Sequence, residues 1–282
     1  YYDYSGYPSN KGDIIYIDSY FTDRAPDQMY STLIHEFQHM INFNQKTINN
    51  LNDSDTWYNE MLSLVAEDMI GPNISLPVDS GPIKTRIPTF LAYYDSDGLT
   101  DWHSTLANYA IAYGFGAYLA RNYGGPALIS AIEANSSVNT ASIGAALKAC
   151  APATFPSGLT PEAAFAEAVR RYGQALVYSG MNVAAYTGAG LATFDKLASG
   201  STGGTTYDFS AFDIWGKHPF DYSTGTSYAS YGPLVWPLAQ YDIPAYSITL
   251  QSAASWQNVP GDLAITLERP SDSNVELYLM IR

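Results

Sequence analysis

A single cysteine, Cys150, stands in a chain of 282 residues. One thiol excludes an internal disulfide framework and a cysteine metal cluster, and it leaves the redox compartment open. Charge is also scarce, at 14% of residues, against the ~25% usual in soluble domains. The basic sign is the rarer one, with 13 Lys and Arg against 27 Asp and Glu and a net charge of −14. That balance argues against nucleic acid or an anionic membrane surface as a direct partner. Long hydrophobic runs are lacking, since the longest uncharged, mostly apolar stretch, Leu106 to Ala120, is too short and too rich in Gly and Tyr to span a bilayer. The opening Tyr-Tyr-Asp-Tyr has neither the charged start nor the apolar run of a signal peptide and reads as a trimmed domain. What is abundant is apolar surface, 46% of residues with 24 tyrosines, far too much for a disordered chain. The length allows one large domain or two unequal ones, each able to bury a core.

Along the chain, residues 11–21 (KGDIIYIDSYF) read as a strand from their β-branched and aromatic run. Residues 27–45 place Tyr30, Leu33, Ile34, Phe37 and Ile41 at helical spacing, which predicts a helix with that stripe against the core. An Asn-rich loop over 47–55 leads to a second helix from about Thr56 to Ile70, with Asp55 as its candidate cap. Residues 71–103, with their four prolines, read as a long surface excursion. Residues 104–122, 125–135, 140–149 and 161–178 read as four helices separated by Gly, Pro and Asn-Ser-Ser breaks. The Ser/Thr/Gly run Gly200 to Thr206 reads as a linker, and the alternating segments beyond it as a small antiparallel sheet. The division expected is therefore 1–199 and 200–282.

The strongest chemical signal is His35-Glu36-Phe37-Gln38-His39, an H-E-x-x-H motif inside the first predicted helix, which holds half of the four histidines. His35 and His39 lie one turn apart on one face, so both imidazoles can reach one zinc ion at about 2.0–2.1 Å. Glu36 projects beside them, where it can hold a water rather than the metal. Catalytic zinc usually takes three protein ligands, and the next predicted helix supplies a candidate in Asn59-Glu60-Met61-Leu62-Ser63.

H-E-x-x-H followed about twenty residues later by N-E-x-x-S resembles the gluzincin metallopeptidases, and HEFQHMINFNQK…WYNEMLSLVAEDMI is most similar to the hyicolysin-type neutral metallopeptidases. The resemblance covers Gly12 to about Gly125 in detail and extends loosely to about residue 198. It implies zinc held by His35, His39 and Glu60, with Glu36 as general base. Glu67, seven residues after Glu60 on the same stripe, matches a carboxylate that orients a ligand histidine; a solvated helix end is the plainer reading of Glu67 and Asp68. The resemblance also calls for a Tyr or His donor to the oxyanion. Tyr109 is the first candidate, since it opens a helix that ends at Gly124, and Tyr113 and His103 are the alternatives. Within the same resemblance, the strand at 13–21 would pair with an extended substrate. The lack of a G-x-M-E-N element upstream of His35 favours an endopeptidase.

Weaker signals surround this one. Asp95, Asp97 and Asp101 resemble a calcium loop but lack its third Asp/Asn and distal Glu, so a polar turn before the next helix is the first reading and Ca²⁺ the second. Asn52, Asn73 and Asn135 lie in N-x-S/T sequons that matter only in a eukaryotic secretory setting. The expected fold is α+β: a gluzincin-like catalytic domain of a small sheet, two zinc helices and a helical half, then a C-terminal all-β unit. The expected function is a secreted or cell-surface zinc endopeptidase, of bacterial envelope type, acting on protein or peptide. The rivals are a catalytically inactive gluzincin-like protein and an adhesin or glycan-binding protein.

Overall fold

The computed structural model describes residues 14–77, 81–94, 96–178, 198–209, 234–235 and 251–252. It opens with a short helix α1 (Ser19–Arg24), then α2 (Pro26–Asn42), which runs directly into one turn of π-helix at Phe43–Ile48. After a loop come α3 (Thr56–Ile70), a 3₁₀ turn at Gly71–Ile74, and α4 (Pro82–Tyr93). The helical body is completed by α5 (Leu106–Asn122), α6 (Pro126–Ala134), α7 (Asn139–Cys150) and α8 (Pro161–Tyr178). A hairpin of β1 (Ala198–Thr202) and β2 (Thr205–Phe209) follows, and β3 (Leu234–Val235) pairs in parallel with β4 (Gln251–Ser252).

Helices α3 and α5 form the centre. Trp57, Tyr58, Met61, Leu62, Leu64 and Val65 of α3 are buried, and α5 is buried almost all round from Ala110 to Arg121. A helix apolar on every side belongs in a core, and α4, α7 and α8 close around this pair with Phe90, Ile143, Leu147 and Phe165. Thr105 and Asn108 form a reciprocal capping box that pins the start of α5.

Several expectations are corrected. Residues 14–18 are not in a strand and α1 begins at Ser19, because the Asp18 carboxylate accepts from the Tyr20 backbone N–H at 2.9 Å and starts a helix where a strand was expected. The substrate-pairing strand is therefore not found among the described residues of that segment. Asp55 sits at the start of α3 with extended backbone, yet its side chain makes no capping bond. The excursion over 71–103 contains α4, which buries Ile83, Ile87, Phe90 and Leu91. On α2 the expected core stripe is not the buried side: Tyr30 and Phe37 are about half exposed and Leu33, Ile34 and Ile41 only partly buried, while the buried residues are Met29, Ser31, Gln38 and Asn42.

The run read as a linker is the hairpin itself. Gly203 and Gly204 make its two-residue turn at φ +57° and +81°, the left-handed pair that tight hairpins require. Phe209 at the end of β2 is fully buried in the helical core, with the Arg121 guanidinium 5.3 Å from its ring centroid. The boundary expected between 199 and 200 thus falls inside an element packed on the helices. Most of the expected β unit over 200–282 lies outside the described residues, and the strand pair described there, β3 with β4, is parallel rather than antiparallel. Truncating Phe209→Ala should lower unfolding free energy by about 3–5 kcal/mol, read by urea denaturation. A change within 0.5 kcal/mol would return the hairpin to linker status.

Candidate metal centre

The site is built where α2 crosses α3. His35 and His39, one turn apart on α2, bring their ring centroids to 4.7 Å. Opposite them, Glu60 of α3 places Oε2 at 3.0 Å from His35 Nε2 and Oε1 at 3.7 Å from His39 Nε2. One ligand atom from each of the three lies within 4.8 Å of the others, and among the described residues this is the group of His, Cys, Asp and Glu able to hold a metal ion.

Each ring is oriented from behind. His35 Nδ1 lies 2.8 Å from Glu67 Oε1, and the other oxygen of Glu67 accepts from the Ser31 hydroxyl. His39 Nδ1 lies 3.0 Å from Asn59 Oδ1 and 3.0 Å from Ser63 Oγ. Acceptors at both Nδ1 positions leave both Nε2 atoms turned to Glu60, which is the tautomer a metal ligand needs. Two imidazoles and one carboxylate, so held, fit zinc by donor type.

Asp68, the neighbour of Glu67, is buried and makes a two-pronged ion pair with Arg121 at 2.7 and 3.2 Å. Removing one member of such a buried pair costs about 3–5 kcal/mol, so the end of α3 that carries Glu67 is held firmly against α5. Neither carboxylate is a solvated helix end.

The remaining candidates separate. Tyr109, near the pinned start of α5, donates to Glu60 Oε1 at 3.5 Å, with its ring edge-on to Trp102 and the Arg86 guanidinium 5.1 Å from its centroid. Burial, and then the charge of Glu60, raise its pKa above the usual tyrosine value, so the hydroxyl stays a proton donor. Tyr113 is fully buried and its hydroxyl donates to Asp68 at 3.1 Å, away from the histidines. His103 is exposed and pairs with Asp101 at 3.3 Å. Glu36 is exposed beside His35. Asp97 accepts from the Ser96 hydroxyl, Asp101 is taken by His103, and Asp95 lies outside the described residues, so no calcium group is seen among the described ones. No helix among the described residues is long and apolar enough to cross a membrane.

Ser31, Asn59 and Ser63 had no role assigned from sequence. Their signal was positional: Ser31 precedes His35 by one turn, and Asn59 and Ser63 bracket Glu60 inside the N-E-x-x-S motif.

No protein-family model matches the chain. Over 123 residues it is 32% identical to the neutral metalloprotease ShpI of Staphylococcus hyicus, a match covering 40% of this chain and 27% of that protein. The chain therefore spans about a quarter of the length of that curated relative. The likeness supports a relationship to metallopeptidases.

Burial works to lower the pKa of His35, but hydrogen bonds to Glu60 and Glu67 and their charges outweigh it and raise the value from 6.5 to about 9. In the metal-free protein the imidazolium therefore contributes stability that is complete below pH 6.5 and is lost as pH rises through about 9. Urea denaturation in chelator from about pH 6 to about pH 10 should show this decline, and His35→Gln should flatten it. An equal slope in the variant contradicts the assignment.

Proposed function

We propose that this chain is a zinc-dependent endopeptidase that hydrolyses peptide bonds in protein or peptide substrates. The observation that carries the reading is the convergence of His35 Nε2 and His39 Nε2 on Glu60 while both Nδ1 atoms are engaged behind them. His35, His39 and Glu60 would hold the ion, with Glu67, Asn59 and Ser63 keeping the rings in the ligating orientation. Zinc supplies Lewis-acid chemistry when bound, polarising a carbonyl and acidifying a water. Glu36, exposed next to the ligand helix face, takes the proton of the attacking water and delivers it to the leaving amine. Tyr109 donates its hydroxyl hydrogen bond to the oxyanion that develops on the scissile carbonyl.

The endopeptidase choice is part of the same proposal and rests on the resemblance to the hyicolysin-type neutral metallopeptidases. A secreted or cell-surface setting belongs to the same proposal and rests on the resemblance to the hyicolysin-type enzymes.

Glu36→Gln should lower the rate on an unfolded protein such as casein by about 10²–10⁴-fold, with zinc content unchanged by elemental analysis. Glu60→Gln should lose zinc and activity together. A Glu36→Gln variant that cleaves at the original rate would remove the general base from this scheme.

A further inference from the structure

We infer that Glu133 of α6 is a positioning residue for the two-histidine helix: its buried carboxylate sets the rotation of α2 about its own axis and so the aim of His35 and His39. The inference rests on the metallopeptidase reading and deepens it.

Helix α2 has an unusual seam. Its aromatic residues Tyr30 and Phe37 are exposed, and its buried residues are one methionine, Met29, and three polar side chains, Ser31, Gln38 and Asn42. Directional hydrogen bonds from these three polar side chains therefore add to what fixes its rotation. Gln38 Nε2 donates to Glu133 Oε1 at 2.5 Å, and Asn42 Nδ2 donates to the same carboxylate at 3.1 and 3.3 Å. Gln38 stands inside the H-E-x-x-H motif, next to His39, and Asn42 follows it by one turn. All three side chains are at most 7% exposed, so water does not compete for these bonds. At the roughly 5–6 Å radius of helix side chains, a turn of about 10° moves a ligand atom by about 1 Å. That exceeds the ~0.5 Å tolerance of a working constellation.

The same end of α6 anchors the neighbouring elements. Lys46, in the π-helical turn that follows α2, donates to the carbonyls of Ile132, Asn135 and Ser137 at 2.6, 2.7 and 2.9 Å. Tyr58 of α3, two residues before Glu60, donates to Ser142 Oγ at 3.0 Å, and Ser142 donates to the Ile132 carbonyl at 2.8 Å. Glu133 is therefore the member of a shared anchor that touches the ligand helix itself.

The test compares Glu133→Leu, Glu133→Gln and Gln38→Met in the full chain. The readouts are Zn²⁺ affinity, the visible absorption of the Co²⁺ form, and the kcat/KM split on an unfolded protein substrate, at a temperature where circular dichroism shows each variant folded. Glu133→Leu should weaken Zn²⁺ binding about 10–100-fold, alter the Co²⁺ absorption, and lower kcat with KM within about twofold. Glu133→Gln, which keeps an acceptor oxygen, should restore affinity to within about threefold. Gln38→Met should move the same readouts in the same direction, and it decides the matter if Glu133→Leu does not fold. A folded Glu133→Leu or Gln38→Met with the original affinity and Co²⁺ absorption overturns the inference. An unmodified chain that binds neither ion overturns the metallopeptidase reading instead.

Discussion

Two imidazoles one turn apart are useful only if their helix cannot roll, and in this protein that restraint is polar. Helix α2 lies on its neighbours through Ser31, Gln38 and Asn42 rather than through its aromatic stripe. Each contact is a hydrogen bond with a defined direction, and each ends on a carboxylate, the partly buried Glu67 or the buried Glu133. A greasy seam tolerates slippage of a few degrees, whereas a donor aimed at a fixed oxygen does not. The geometry of the candidate metal centre follows from that choice of seam.

The cost of that choice is negative charge taken out of water, and the structure offsets it one carboxylate at a time. Asp68 is matched by Arg121. Glu133 feels the ammonium of Lys46, which in turn is held by three carbonyl oxygens near the end of α6, a favourable place for a cation. Glu60 and Glu67 are left to the histidines. In a chain with so few basic residues, two of them are thus committed to the interior around the candidate site. Buried ion pairs contribute little net stability by themselves but penalise any arrangement that breaks them.

How much of this was legible in the sequence depended on range. Helix α3 falls where it was read, at Thr56–Ile70, and α5 to α8 start and stop within about two residues of the Gly, Pro and Asn punctuation. The histidines and Glu60 were legible because their spacing is local to two helices. The exposure of Tyr30 and Phe37 was not, since periodicity gives a stripe and not the side that is covered. That side was decided by Glu67 and Glu133, 36 and about 91–95 residues away from their partners. Helix α4 was hidden by its own prolines, which read as loop markers, although Pro82 opens the helix, where proline is well tolerated. Residues 14–21 had strand propensity, but a single Asp18 cap outweighed it.

Lys46 has one further consequence. Among the described lysines it is the fully buried one, its amine surrounded by carbonyl oxygens. An amine-reactive label added to folded protein will leave it unmodified, and opening of the body around α6 will make it reactive. With so few competing amines, mass spectrometry of the peptide carrying Lys46 becomes a built-in gauge of how often that part of the molecule opens.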